Sequence, residues 1–162
     1  MAQVYLSLGS NLGNRMENLE KALDLLSKNT GEIMLRSYVY ETGSWGYQGL
    51  NYLNMAVKIL TRLEPGELMV ALKKIEKDMG RVKTPGIYTD RSIDLDILFY
   101  DNLIYQSSDL EIPHPQIPNR LFVLAPLMDI APDHVCPQSG KKILEIIKEC
   151  EDRGWIQKYN PA

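Results

Sequence analysis

Residues 91–100 read RSIDLDILFY, and no other stretch limits the fold as tightly. Ile93, Leu95, Ile97 and Phe99 alternate with Ser92, Asp94, Asp96 and Leu98, the two-residue period of a β-strand. The four apolar residues are expected to anchor the strand in a core. The opposite face then carries Asp94 and Asp96 side by side. Asp is depleted in strands and like charges on one face repel, so this pair needs a reason.

The elements around that strand follow from periodicity and punctuation. Residues 3–8 (QVYLSL) read as a strand. GSNLGN leads into a helix with Asn14 and Glu17 as a capping box and Leu19, Ala22, Leu23 and Leu26 as one buried stripe. Asn29-Thr30-Gly31 ends it. Residues 33–41 and 52–60 are strand-like, separated by TGSWGYQGLN, a loop too long for a tight hairpin. Glu64-Pro65-Gly66 opens a second helix, striped by Leu68, Leu72, Ile75 and Met79 and stopped by Gly80. RVKTPGIYTD precedes the Asp-bearing strand, and Asp101-Asn102 turns the chain toward a short strand near residues 103–105. The proline-pinned IPHPQIPNR leads to a helix over about 121–130, which Pro126 should kink or interrupt. A last helix is expected near 141–150. The order is that of an α+β fold with a ferredoxin-like βαββαβ core and additional C-terminal helices, as a single domain over 1–162.

Composition narrows the function. The chain has 162 residues and a net charge of −3, which argues against a dedicated nucleic-acid binder and makes local basic clusters informative. No apolar run reaches the roughly 20 residues of a membrane span, and the first residues start a strand rather than a signal peptide. Cys136 and Cys150 are the only cysteines, lie in no CxxC motif and read as free thiols. A cytoplasmic, monomeric protein without membrane or nucleic-acid partners is expected.

Asp94 and Asp96 project the same way with backbones roughly 7 Å apart. Their hard oxygens suit Mg²⁺ that keeps water and accepts phosphate ligands, or they simply belong to a solvent-facing strand surface. Arg81, Lys83 and Arg91 lie just ahead, and cations beside paired acids fit a triphosphate clamp or surface ion pairing. GSNLGN runs from strand to helix like a phosphate loop but lacks the Lys and Ser/Thr of GxxxxGK[ST], so it reads as a structural turn. Tyr52 and Asn54 share one strand face, placing a ring beside an amide able to read the edge of a heterocycle. His114, between prolines, is a phosphate donor or a structural imidazole.

Taken together, RSIDLDIL, GSNLGNR, YLN and IPHPQIPNRLFVLAPL resemble the 6-hydroxymethyl-7,8-dihydropterin pyrophosphokinases, in order and spacing, to about Pro132. The resemblance implies a diphosphotransferase of folate biosynthesis that moves pyrophosphate from ATP to 6-hydroxymethyl-7,8-dihydropterin. It implies that Asp94 and Asp96 hold two Mg²⁺ ions and act in catalysis with Arg81 and Arg91. ATP contacts would come from Arg81, Lys83, Arg91, His114 and Arg120. Tyr52 and Phe122 would sandwich the pterin, with Asn54 and the Thr42, Gly43 and Trp45 segment at its edge. Glu76 matches a carboxylate that would orient the arginine loop. Departures from the common pattern fall at Gly43-Ser44, Tyr88, Thr89-Asp90 and Pro115. Two other classes are compatible with the motifs alone: a ligand-binding regulatory module and a Mg²⁺-dependent phosphohydrolase.

Overall fold

A computed structural model describes residues 1–43, 50–80 and 92–160 of the chain. Strand β1 (Ala2–Ser10) feeds helix α1 (Arg15–Asn29) through a turn in which Gly13 takes φ +70°, a backbone region that glycine enters without strain. The Asn14 side chain caps the helix by accepting the Glu17 N–H at 3.1 Å. Leu19, Ala22, Leu23 and Leu26 are buried, as their spacing requires.

Two strands, β2 (Gly31–Arg36) and β3 (Tyr40–Thr42), replace the continuous one expected over 33–41, and both pair with β4 (Tyr52–Thr61). Ser37 is the cause of the break. Its hydroxyl, rather than a backbone carbonyl, accepts the Ala56 N–H at 2.9 Å, so the ladder skips and restarts. Helix α2 (Pro65–Asp78) starts at the proline and buries Leu68, Leu72 and Ile75. Strand β5 (Asp94–Tyr100) follows. A small ladder of β6 (Tyr105–Gln106) and β7 (Glu111–Ile112) lies just past the strand expected near 103–105. Helix α3 (Leu121–Ile130) runs through Pro126, which lies in its second turn and removes only the bond to the Phe122 carbonyl, so the helix is not interrupted there. Helix α4 (Ile143–Glu149) and strand β8 (Ile156–Lys158) complete the chain.

The result is an α+β arrangement around an antiparallel sheet of order β5-β1-β4-β3-β8, with β2 also paired to β4. One face packs Val4, Leu6, Leu8, Met55, Leu95 and Ile97 under α1 and α2. The other packs Tyr5, Ala56, Leu98 and Phe99 under α3 and α4.

Phe99 corrects the simple alternation. Tyr5 pairs with Phe99 and Leu6 with Ile97, so Leu98 is the extra residue of a β-bulge. Beyond the bulge the faces exchange: Phe99 joins Leu98 on the Asp-bearing side, and Tyr100 turns toward the first core, where its hydroxyl donates to the Leu63 carbonyl at 2.6 Å. The Asp-bearing face therefore has a hydrophobic half under α3 and α4. Its other half keeps Asp94, Asp96 and Tyr52 partly exposed.

Candidate active site

The partly exposed half of that face is assembled from three adjacent strands. Gly9 of β1 is opposite Asp94 on one side and Asn54 on the other, while Ser7 is opposite Asp96 and Ala56. Asp94 and Asn54 thus stand in one transverse row, two strand spacings apart, or about 10 Å. Gly9 leaves the space between them. A Cβ there would lie 2.9 Å from Asn54 Oδ1 and 3.4 Å from Tyr52 Cδ1, so both side chains lean over the glycine.

Asn54 is buried and held in one orientation by donating from Nδ2 to the Thr42 hydroxyl at 2.8 Å. Thr42 is itself buried and is the cross-strand partner of Tyr52. A fixed amide beside a partly exposed ring is therefore set at the end of the β3–β4 ladder. Gly43 follows directly and is exposed.

The carboxylates are braced from the other core. Glu76, buried in the last turn of α2, accepts the Leu95 N–H at 2.8 Å, midway between Asp94 and Asp96. This contact extends the expectation for Glu76, whose arginine loop lies outside the described residues. Among the described residues no group of three or more His, Cys, Asp or Glu is gathered for a metal. Asp94 and Asp96 offer few protein ligands, which fits Mg²⁺, an ion that retains water and takes phosphate oxygens.

His114 is fastened to the bulge of β5 by donating its backbone N–H to the Leu98 carbonyl at 3.1 Å. Its Nδ1 accepts the Gln116 N–H at 3.1 Å, so the neutral ring carries its proton on Nε2. Burial pulls its pKa down to about 4, the nearby Arg120 pushes the same way, and Asp94 opposes them. The imidazole is neutral at ordinary pH. Arg120 places its guanidinium carbon 5.5 Å from the Phe122 ring centroid, at the start of α3, which packs against β4 and β3.

Beside Asp96 and His114 opens a cavity of about 320 Å³, walled by Met69, Leu72, Ile97 and Leu110. Sequence reading missed this wall because Leu72 belongs to a helical stripe that reads as core, and nothing marks residues 107–111 as a site. The structure thus brings together Asp94, Asp96, Thr42, Tyr52 and Asn54 on one face, with His114, Arg120 and Phe122 on the elements packed against it. Trp45, Arg81, Lys83 and Arg91, with Tyr88, lie outside the described residues.

Comparison with known proteins places this geometry in a family. A Porphyromonas gingivalis protein named 2-amino-4-hydroxy-6-hydroxymethyldihydropteridine pyrophosphokinase is 43% identical over 138 residues, covering 82% of this chain and 92% of that protein. An Aquifex aeolicus protein of the same name is 39% identical over 150 residues, 92% of each chain. The mitochondrial folate synthesis bifunctional protein of Pisum sativum is 47% identical over 130 residues, and there the match spans 25% of the longer protein. Among solved structures, Plasmodium falciparum HPPK-DHPS with pteroate superposes with a TM-score of 0.77 at 17% identity, over 91% of this chain and 44% of that one, a likeness of fold. The family model for 7,8-dihydro-6-hydroxymethylpterin-pyrophosphokinase (HPPK) matches residues 5–132, from the first strand through the Asp pair to the end of α3, and the chain belongs to that family.

Proposed function

We propose that the chain transfers the pyrophosphoryl group of MgATP to the hydroxymethyl group of 6-hydroxymethyl-7,8-dihydropterin, a step in folate biosynthesis. The observation that carries this reading is the transverse row on the sheet: a carboxylate pair at one end and an oriented amide with a ring at the other, with Gly9 between them. In this reading a phosphate-handling site and a heterocycle site are held at a fixed separation by the pairing of β5, β1 and β4.

In this reading the pterin edge meets Asn54, whose orientation the Thr42 hydroxyl sets, and its ring lies between Tyr52 and Phe122. The hydroxymethyl oxygen attacks the β-phosphorus of ATP. The bond from that phosphorus to the α,β-bridging oxygen breaks, AMP leaves, and the hydroxyl proton is released. Asp94 and Asp96 would hold two Mg²⁺ ions, which would supply neutralisation of the polyphosphate charge and favour ionisation of the attacking hydroxyl. His114 donates from Nε2 to a phosphate oxygen as a neutral group, a role its fixed tautomer supports. Arg81, Arg91, Lys83 and Arg120 supply further phosphate contacts, and the cavity beside Asp96 and His114 takes the nucleoside of ATP. Positioning and charge neutralisation, rather than covalent chemistry, carry the reaction.

We read the core as ferredoxin-like, a single catalytic domain. The order β5-β1-β4 with β2 and β3 sharing the far side of β4 supports that topology. Cys136 and Cys150 are both buried and unpaired, in keeping with a reducing, cytoplasmic compartment. Among the described residues no helix is long and apolar enough to cross a membrane.

The decisive experiment follows AMP formation from MgATP with and without 6-hydroxymethyl-7,8-dihydropterin. AMP that appears only with the pterin, together with pterin diphosphate, supports the reading. Phosphate or pyrophosphate released to water without the pterin would make the chain a hydrolase, and no ATP consumption at all would leave a binding module.

A further inference from the structure

The GSNLGNR segment contributes no phosphate loop, yet its side chains do more than turn the chain. Arg15, the first residue of α1, donates from Nη1 to Glu41 Oε2 at 2.6 Å and to the Asn51 carbonyl at 3.1 Å. Its guanidinium carbon also lies 5.7 Å from the centroid of the Tyr159 ring. Asn11, which is 1% exposed, donates to the Leu50 carbonyl at 3.1 Å. The turn that presents both residues is braced by Asn18, which donates to the Ser10 hydroxyl and the Leu12 carbonyl.

Glu41 and Asn51 immediately precede Thr42 and Tyr52, which form the last rung of the β3–β4 ladder. A terminal rung has a neighbouring rung on one side only and opens more readily than the interior, even though Thr42 also pairs with Ile156 of β8. One guanidinium thus ties together the two strands at the point where the ladder ends. Two residues inward, Asn54 depends on the Thr42 hydroxyl for its orientation. The Arg15–Glu41 pair is largely buried, with 24% and 25% of its side chains exposed, so removing Arg15 carries some cost in global stability, separate from its effect on the site. That effect is geometric.

We propose that Arg15 is a positioning residue for the pterin: by clamping Glu41 to Asn51 it fixes the Thr42–Tyr52 rung and, through Thr42, the amide of Asn54. Arg15 touches neither substrate. This role rests on the pterin-transfer reading given above.

The test uses the full chain with Arg15→Met and Arg15→Lys. Pterin affinity is measured by calorimetry in the presence of Mg²⁺ and a non-hydrolysable ATP analogue, and affinity for that analogue is measured alone. Amide exchange at Thr42 and Tyr52 is followed in the unliganded protein. Arg15→Met should weaken pterin binding by roughly tenfold or more, the scale of a small misplacement of binding groups. Analogue affinity should stay near wild type, while the thermal midpoint falls modestly. Exchange should speed up at Thr42 and Tyr52 but not in the interior of β4, and Arg15→Lys, which retains a cation with several donors, should recover much of both effects. Unchanged pterin affinity in Arg15→Met, or an equal loss of pterin and analogue affinity, overturns the clamp while wild-type pterin binding stands. A wild-type chain that binds no pterin overturns the functional reading, and with it this role, whatever the variants do.

Discussion

The Glu76 carboxylate accepts the Leu95 N–H at 2.8 Å, the backbone donor that separates Asp94 from Asp96. Strand β5 is the edge of the sheet, and a helix side chain here supplies the acceptor that a further strand would otherwise provide. Sheet pairing with β1 fixes one side of the Asp pair and Glu76 fixes the other.

Glu76→Ala should therefore damage both stability and turnover. Leaving a buried N–H without an acceptor costs about 1–3 kcal/mol, which urea unfolding will read as a lower midpoint with an unchanged slope. AMP formation should fall further than stability alone explains, because the two carboxylates lose their common brace. Glu76→Gln keeps a carbonyl acceptor and should retain much of both. An alanine variant with wild-type stability would show that the bond contributes nothing.

Gly9→Ala tests the space between the two halves of the site. The added methyl would stand 2.9 Å from Asn54 Oδ1, and Asn54 cannot easily retreat because it is buried and bonded to Thr42. Displacing that amide should weaken pterin binding by about tenfold or more, at about 1.4 kcal/mol per decade, and leave nucleotide affinity closer to wild type. Parallel titrations with pterin and with an ATP analogue decide it, and equal losses would mean that the whole sheet face had shifted.

The parts of this arrangement legible in the sequence are those with a period or a charge out of place. The Asp pair was visible because two carboxylates on one face of a strand contradict β-propensity. The Tyr52–Asn54 relation followed from spacing of two. Phe99 was misplaced because a bulge inserts a residue without any mark in composition, and alternation fails silently beyond it. The β2–β3 break depends on one hydroxyl substituting for a carbonyl, which Ser37 does not announce. Strand β8 and the cavity beside Asp96 and His114 were missed for a related reason: both are made by distant segments meeting, and neither segment is distinctive alone. Arg15 carries no signal of its own in the sequence, because its partners Glu41 and Asn51 lie 26 and 36 residues away.

His134 gives a pH dependence separate from the site. Its ring packs 4.5 Å from the centroid of Phe99 and 5.1 Å from that of Tyr5, and among the described residues its buried Nε2 has no hydrogen-bond partner. Burial lowers its pKa, and Lys58 lowers it further. A folded-state pKa below the unfolded value of about 6.5 means that the unfolded chain binds the proton first. The contribution to stability is then complete above about pH 6.5 and is lost as pH falls through the folded value. His114 has the same sign and is present in both proteins compared. His134→Phe should lose less stability than wild type between pH 7 and pH 4 in urea unfolding. Parallel losses would show that His134 titrates alike in both states.

The Asp pair itself predicts opposite effects with and without metal. In metal-free protein two carboxylates on one strand face repel, so Asp96→Asn should match or exceed wild type in thermal midpoint when a chelator is present. Adding Mg²⁺ and an ATP analogue should reverse the order. Ligand that binds only the folded state stabilises by about 2.7 kcal/mol at one hundred times its Kd, and wild type should gain on that scale while Asp96→Asn gains much less. AMP formation by the variant should collapse although its fold survives. Thermal melts with chelator, with Mg²⁺ and with Mg²⁺ plus analogue separate the terms. If Asp96→Asn gained as much from Mg²⁺ and analogue as wild type, Asp96 would not be a metal ligand, and the carboxylates would need another explanation on that strand.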